Sequence, residues 1–212
     1  MQWTLVVPLK PLAEAKSRLA DAADDTVRPG LALAFAQDTV AAALACRAVR
    51  DVVVVTGDAL AGRELAALGA RIVSDEPGGG LNAALAHAAG AVRAFRGAGP
   101  VAALNADLPA LRPAELARVL DGAAVFPRAF LSDAAAVGTT LLSAAPNEEL
   151  RPSFGPGSRA RHRAFGAVEL CLDAVDSVRQ DVDTGDDLRA ALALGVGPRT
   201  AAATARLLIA GQ

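Results

Sequence analysis

Val101-Ala-Ala-Leu-Asn-Ala-Asp107-Leu-Pro109 is an apolar run that breaks into a polar residue, a carboxylate and then a proline. An apolar run of this length reads as a parallel strand buried on both faces. Pro109 cannot continue a hydrogen-bonded ladder, so Asp107 is placed at the strand's carboxyl end. In open α/β sheets, ligands bind beyond that edge. A carboxylate there, with no cation beside it in sequence, suits a divalent metal. Magnesium favours one or two carboxylates together with phosphate oxygens. A helix-capping Asp would give the same local pattern, so the rest of the chain has to decide.

Outward from this strand, apolar runs alternate with helical spacing. Trp3 to Leu9, Asp51 to Gly57 and Arg71 to Asp75 read as three further strands. Helices are predicted over 28–45, 59–68, 81–95 and 113–120, the first and last with Pro in the opening turn. Beyond Ala123 the pattern shifts to shorter strands at 123–126, 138–142 and 167–172. Asp183 to Leu188 opens a last helix, with Thr184 as N-cap and Asp187 as its third residue. Strands alternating with helices predict an α/β fold: a doubly wound, mostly parallel sheet with a mixed C-terminal region. With no repeat or low-complexity linker, residues 1–212 read as one domain.

The formal charge of −2 leaves no electrostatic footprint for nucleic acid or an anionic membrane surface. Charged residues interrupt every Ala-rich stretch before it reaches transmembrane length. With no leader-like N-terminus, a cytoplasmic location is expected. Cys46 and Cys171 have no metal spacing and are expected to be two buried thiols. His87 and His162 are far apart, which argues against a zinc site. Of 21 basic residues only two are Lys, and Lys10 and Lys16 are the first two basic residues of the chain. Lys is a compact point charge where Arg is a planar fork, so the placement suggests a role for an ammonium at these positions.

Six constellations carry candidate chemistry. Val6-Val-Pro-Leu-Lys10-Pro-Leu-Ala-Glu-Ala-Lys16-Ser-Arg18 puts three cations just after a strand, where loop amides and lysines suit a triphosphate. Gly78-Gly-Gly80-Leu-Asn82-Ala83 offers close backbone approach to a flat ligand and an amide that can read a base edge. It also matches the dinucleotide fingerprint, but after the third strand rather than the first. Asp107 is the third. Gly138-Thr139-Thr140 places small hydroxyl residues at a strand start. Ser153-Phe-Gly155-Pro-Gly-Ser158-Arg-Ala-Arg161-His162 combines free amides, a hydroxyl and two arginines suited to a small anion. Asp181-Val-Asp183 alternates across a strand end, so one carboxylate would face the cleft and complete a two-carboxylate metal site with Asp107.

Together, V-P-L-K-P-L-x-x-A-K-S-R-L, G-G-G-L-N-x-A, D-L-P, G-T-T, F-G-P-x-S-x-x-R-H and D-V-D-T resemble the guanylyltransferases of deazaflavin coenzyme (F-420) biosynthesis, which act on phosphoenolpyruvate or 2-phospho-L-lactate. The likeness spans nearly the whole chain. D-L-P and D-x-D-T are shared with many nucleotidyltransferases; the first and fifth motifs are more specific. One departure is Gly185, where many relatives have Pro; it touches no carboxylate.

The resemblance implies a single-domain, Rossmann-like nucleotidyltransferase fold of the nucleotide-diphospho-sugar transferase type. It implies transfer of GMP from GTP to the phosphate of phosphoenolpyruvate, releasing pyrophosphate, with Mg2+ as cofactor. Position by position, it implies a nucleotide site of Pro8, Leu9, Lys10, Lys16, Arg18, Gly79, Gly80 and Asn82, with Lys10, Lys16 and Asp107 catalytic. It implies an acceptor site at Thr139, Gly155 and Ser158, and metal ligands among Asp107, Asp181 and Asp183. The alternative acceptors are 2-phospho-L-lactate and 3-phosphoglycerate. Other readings are a transferase with another acceptor, a non-catalytic nucleotide-binding protein on the same scaffold, and a nicotinamide-dependent oxidoreductase. The oligomeric state is not legible.

Overall fold

The computed structural model describes residues 1–14, 27–75 and 79–210. Among these, seven strands form one sheet: β1 (Trp3–Pro8), β2 (Val49–Val55), β3 (Arg71–Val73), β4 (Val101–Leu104), β5 (Arg128–Ser132), β6 (Thr139–Ala144) and β7 (Val168–Glu169), in spatial order β3-β2-β1-β4-β6-β5-β7. The pairs β1–β2, β2–β3, β1–β4 and β5–β7 are parallel, whereas β6 runs antiparallel to both β4 and β5. The sheet is therefore mostly parallel, as expected, with β6 as its single reversed member.

The central strands are nearly all apolar because both faces are covered. Leu5, Val7, Val52, Val54, Ala102 and Leu104 pack into one layer; Val6, Val53, Val101 and Ala103 pack into the other. This period-2 division is what a doubly covered sheet requires. The helices are α1 (Arg28–Leu44), α2 (Ala59–Ala67), α3 (Gly80–Arg96), α4 (Pro113–Ala123), α5 (Ser158–Ala164), α6 (Asp176–Arg179), α7 (Gly185–Leu194) and α8 (Pro198–Ala210), with a short 3-10 turn at Leu12–Glu14. Helices α1 and α4 cover the first layer and α3 the second, through Leu116, Val119 and Leu120 on one side and Leu85, Ala88 and Val92 on the other.

Three caps fix helix positions. Asp58 starts α2 by accepting from the amides of Leu60 and Ala61, both at 3.0 Å. Thr184 and Asp187 form the reciprocal capping box predicted for α7. Buried Asp38 of α1 accepts from the amides of Arg199 and Thr200 and so ties on α8.

Several expectations need correction. Residues 123–126 are the end of α4 and a turn: Ala123 is still helical and buried, while Val125 is 75% exposed. The strand lies just beyond, at Arg128–Ser132, masked in sequence by its leading Arg. Asp181 and Asp183 are in no strand; they follow α6, which was not predicted. Helices α5 and α8 were also unanticipated, so α7 is not the last. Cys46 is buried, but Cys171 is exposed. Among the described residues, no helix is long and apolar enough to cross a membrane.

Candidate active site

The chain leaves β1 toward β2 and β3 on one side, then returns to build β4, β6, β5 and β7 on the other. The split between β1 and β4 is a topological switch point, and a crevice opens beyond the strands' carboxyl ends there. Pro8 ends β1 and Leu9 and Lys10 follow it into this crevice, while Asn105, Ala106 and Asp107 follow β4. Because β6 is reversed, its first residue reaches the same edge: Leu104 pairs with Leu141, and the Asn105 amide donates to the Thr140 carbonyl at 2.9 Å. Thr139 therefore stands beside the β4 loop although it begins a strand.

A cavity of about 620 Å³ occupies the crevice. Its lining includes Pro8, Leu9, Lys10, Asp107, Thr139, Gly155, Ser158, Asp181 and Asp183. Residues distant in sequence and expected to form the nucleotide, metal and acceptor sites are thus brought to one cavity. A smaller cavity of about 180 Å³ adjoins it through Pro8, Leu9, Lys10, Glu14 and Leu81, and extends to Asp75 and Gly80. Gly79 and Asn82 line neither. Lys16, Arg18 and Gly78 lie outside the described residues.

Two segments hold the carboxylates. The Leu108 amide donates to Thr39 Oγ1 of α1 at 3.0 Å, which anchors the turn after Asp107. The Asp107 carbonyl accepts from the Val182 amide at 3.1 Å. Val182 is fully buried between Asp181 and Asp183. Both of those carboxylates line the cavity, contrary to the expectation that only one would face it; that expectation required a strand. The Asn105 amide nitrogen lies 3.5 Å from Asp181 Oδ2. Among the described residues, no three His, Cys, Asp or Glu are grouped closely enough to form a ready-made metal cage. Asp107, Asp181 and Asp183 could hold a magnesium ion that completes its shell with substrate phosphate and water oxygens.

The loops that carry Thr139, Gly155 and Ser158 are shaped by local chemistry. Asp133 was not anticipated; it accepts from the amides of Val137 at 2.9 Å and Gly138 at 2.7 Å and closes the turn leading into β6. A Cβ on Gly138 would fall 2.3 Å from Asp133 Oδ2, so a side chain there would push the Asp133 carboxylate off its hydrogen bonds. Gly155 and Gly157 have φ of +114° and +71°, in the region that side chains resist. The Asn82 amide clips this loop to α3: its nitrogen donates to the Phe154 carbonyl and its oxygen accepts from the Phe154 amide. Its visible role is therefore structural rather than reading a base. Arg159 and Arg161 do not reach the cavity either. Arg159 pairs with Glu169 at 2.7 Å, and Arg161 binds the Ser153 carbonyl and hydroxyl.

His162, in the same motif, was overlooked. It is almost completely buried, with Nδ1 2.9 Å from Thr139 Oγ1 and Nε2 accepting from the Ser153 amide at 3.0 Å. Burial, helped by the charge of Arg161, pushes its pKa down to about 4. Beyond β1, Asp58 Oδ2 accepts from the Leu12 amide at 3.0 Å and fixes the turn just after Lys10. Hydrogen bonds from the amides of Ala61, Leu12 and Leu60, opposed by partial burial, hold the Asp58 carboxyl below its ordinary pKa.

Comparisons with known proteins bear on the family and the fold. The model of the MobA-like NTP transferase domain matches residues 33–190. A phosphoenolpyruvate guanylyltransferase of Streptomyces coelicolor is 80% identical over 212 residues, covering all of both chains. Among solved structures, a nucleotidyl transferase from Methanothermobacter thermautotroptrophicus superposes with a TM-score of 0.61 at 22% identity, over 91% of this chain and 97% of that one. A Mycobacterium tuberculosis protein in complex with manganese gives 0.55 at 24% identity, over 91% and 98%. The last two establish the fold alone. The chain belongs to the phosphoenolpyruvate guanylyltransferase family, on a MobA-like nucleotidyltransferase fold.

Proposed function

We propose that the protein transfers GMP from GTP to the phosphate of phosphoenolpyruvate, with Mg2+, forming enolpyruvoyl-2-diphospho-5'-guanosine and pyrophosphate for coenzyme F-420 biosynthesis. The observation that carries this reading is the convergence of Lys10, three carboxylates and the Thr139/Gly155/Ser158 group on one cavity at the sheet's switch point. In the reaction, an acceptor phosphate oxygen attacks the α-phosphorus of GTP in line, and the bond to the bridging oxygen of pyrophosphate breaks. The nucleophile is already ionised, so no general base is needed. Catalysis is then positioning plus placement of positive charge.

The lining electrostatics support a metal. Five carboxylates (Glu14, Asp107, Asp133, Asp181 and Asp183) and one cation, Lys10, line the cavity among the described residues. Two polyanions would be repelled from such a surface unless a divalent cation intervened. Magnesium held by Asp107 with Asp181 or Asp183 would supply that charge and draw the two phosphates together. Lys10, with Lys16 and Arg18 from the adjoining segment, would neutralise the leaving pyrophosphate. Thr139, Gly155 and Ser158 would hold the acceptor carboxylate.

The test is pyrophosphate release across a matrix of nucleotides and three-carbon phospho-acids, with and without Mg2+. Turnover is expected with GTP, phosphoenolpyruvate and Mg2+ together. Preference for another nucleoside triphosphate, for 2-phospho-L-lactate or for 3-phosphoglycerate would replace the assignment. Full turnover in excess chelator would remove the metal.

A further inference from the structure

We propose that His162 is a positioning residue that turns the Thr139 hydroxyl proton into the cavity, so that Thr139 donates to the acceptor's carboxylate. The inference rests on the reading that the acceptor sits at Thr139, Gly155 and Ser158. It adds a residue that touches no substrate but sets what Thr139 presents.

The argument is one of donors and acceptors. The His162 ring packs against Phe130 and Phe154, at centroid distances of 5.8 and 5.1 Å, and its orientation is set by both nitrogens meeting polar partners, which a flipped ring would replace with carbons. Its Nε2 lies 3.0 Å from the backbone nitrogen of Ser153. A backbone N–H only donates, so Nε2 carries a lone pair. A neutral imidazole with a bare Nε2 has its proton on Nδ1. That N–H, 2.9 Å from Thr139 Oγ1, donates to the hydroxyl oxygen. The hydroxyl proton must then leave in another direction, and Thr139 lines the cavity.

The opposite tautomer would reverse the outcome. Thr139 would donate into the ring and show only lone pairs to the cavity, and a carboxylate, which accepts and never donates, would be repelled. An imidazolium would set an N–H against the Ser153 N–H. Burial keeps the ring neutral at pH 7, with a pKa of about 4. The tautomer of a residue outside the cavity therefore decides whether Thr139 attracts or rejects the acceptor.

Two measurements test this. In protein labelled with 15N-histidine only His87 and His162 report, and His162→Gln identifies which signals belong to His162. A neutral, Nδ1-protonated ring is expected from pH 8 to pH 5; an Nε2-protonated ring or an imidazolium at pH 7 overturns the proposal. In kinetics, Thr139→Val should raise KM for phosphoenolpyruvate about 10- to 150-fold and leave KM for GTP unmoved, since it removes a hydrogen bond to a charged group. His162→Gln can still accept from Ser153 but leaves no donor toward Thr139, so the hydroxyl is free to rotate, and it should raise the same KM by a smaller factor than Thr139→Val. His162→Asn restores a donor at the Nδ1 position and should recover most of the loss. The Thr139→Val, His162→Gln double variant should be no worse than Thr139→Val alone. Additive losses, or losses shared equally by GTP, would make His162 merely structural and overturn the inference. If Thr139→Val leaves the phosphoenolpyruvate KM unmoved while the tautomer is as stated, the acceptor placement has failed, and the inference loses its ligand and falls with it.

Discussion

The Asp107 carbonyl accepts a hydrogen bond from the Val182 amide at 3.1 Å, joining two loops 75 residues apart in sequence. Val182 is fully buried against Leu31, Phe35, Leu188 and their neighbours, so its position is set by packing rather than by the cavity. The segment that carries Asp181 and Asp183 is thereby tied to the one that carries Asp107, and all three residues line the same cavity. Under the proposed reading, these two carboxylates and Asp107 would hold the metal, and a core residue and a main-chain bond would be what supports them.

Asp107→Asn keeps the shape of this loop and its main-chain bond but removes a charge. Turnover should fall at least about 100-fold, the scale of losing a principal electrostatic contributor, while the thermal transition stays near that of the wild type. Steady-state pyrophosphate release with calorimetry checks both. Turnover near wild type would show that the metal rests on Asp181 and Asp183 without Asp107.

Lys10 is the single cation lining the cavity among the described residues. Lys10→Arg preserves charge but replaces a compact ammonium with a planar fork that cannot crowd between phosphate oxygens. A clear loss of kcat is expected, and Lys16→Arg should behave alike. If both variants match the wild type, the concentration of the chain's two lysines near its start is unrelated to catalysis.

The elements that place these residues were legible where a single local signal sufficed. The Val101 to Leu104 strand and the first strand, whose exit leads to Lys10, follow from apolar runs and their stops, and the α7 cap follows from Thr184 and Asp187. What failed depended on tertiary context. Asp133 looks like any turn residue until its contacts with the Val137 and Gly138 amides are seen. Asp181 and Asp183 cannot be oriented without knowing that α6 precedes them. Arg159 and Arg161 carry an anion-binding pattern, yet their partners, Glu169 and Ser153, are protein groups. His162 had a signal in hindsight: a lone histidine within an Arg-rich motif, whose partner Thr139 is distant in sequence.

The buried His162 also predicts a pH dependence of stability. Its folded pKa, about 4, lies below the unfolded value of about 6.5. Between these values the unfolded chain binds a proton that the folded chain refuses. The stabilisation is complete above pH 6.5 and is lost as pH falls toward 4, by up to about 1.4 kcal/mol per unit from this residue. Denaturant unfolding at pH 7, 6 and 5 should show a steeper loss for the wild type than for His162→Gln. Parallel slopes would mean that the imidazole is protonated as easily in the fold as in water.

Ser158 tests which half of the cavity takes which substrate. It is buried at the first turn of α5, its amide donates to the Gly155 carbonyl at 3.0 Å, and it lines the cavity beside Thr139. Ser158→Ala leaves that main-chain turn intact and removes only the hydroxyl. A hydrogen bond to a charged group contributes roughly 1.5–3 kcal/mol, or about 10- to 150-fold in affinity. KM for phosphoenolpyruvate should rise by about that factor and KM for GTP should stay nearly constant, read from separate saturation curves. The reverse pattern, with GTP affinity lost and phosphoenolpyruvate affinity kept, would exchange the two substrates between the β1 side and the β6 side of the cleft.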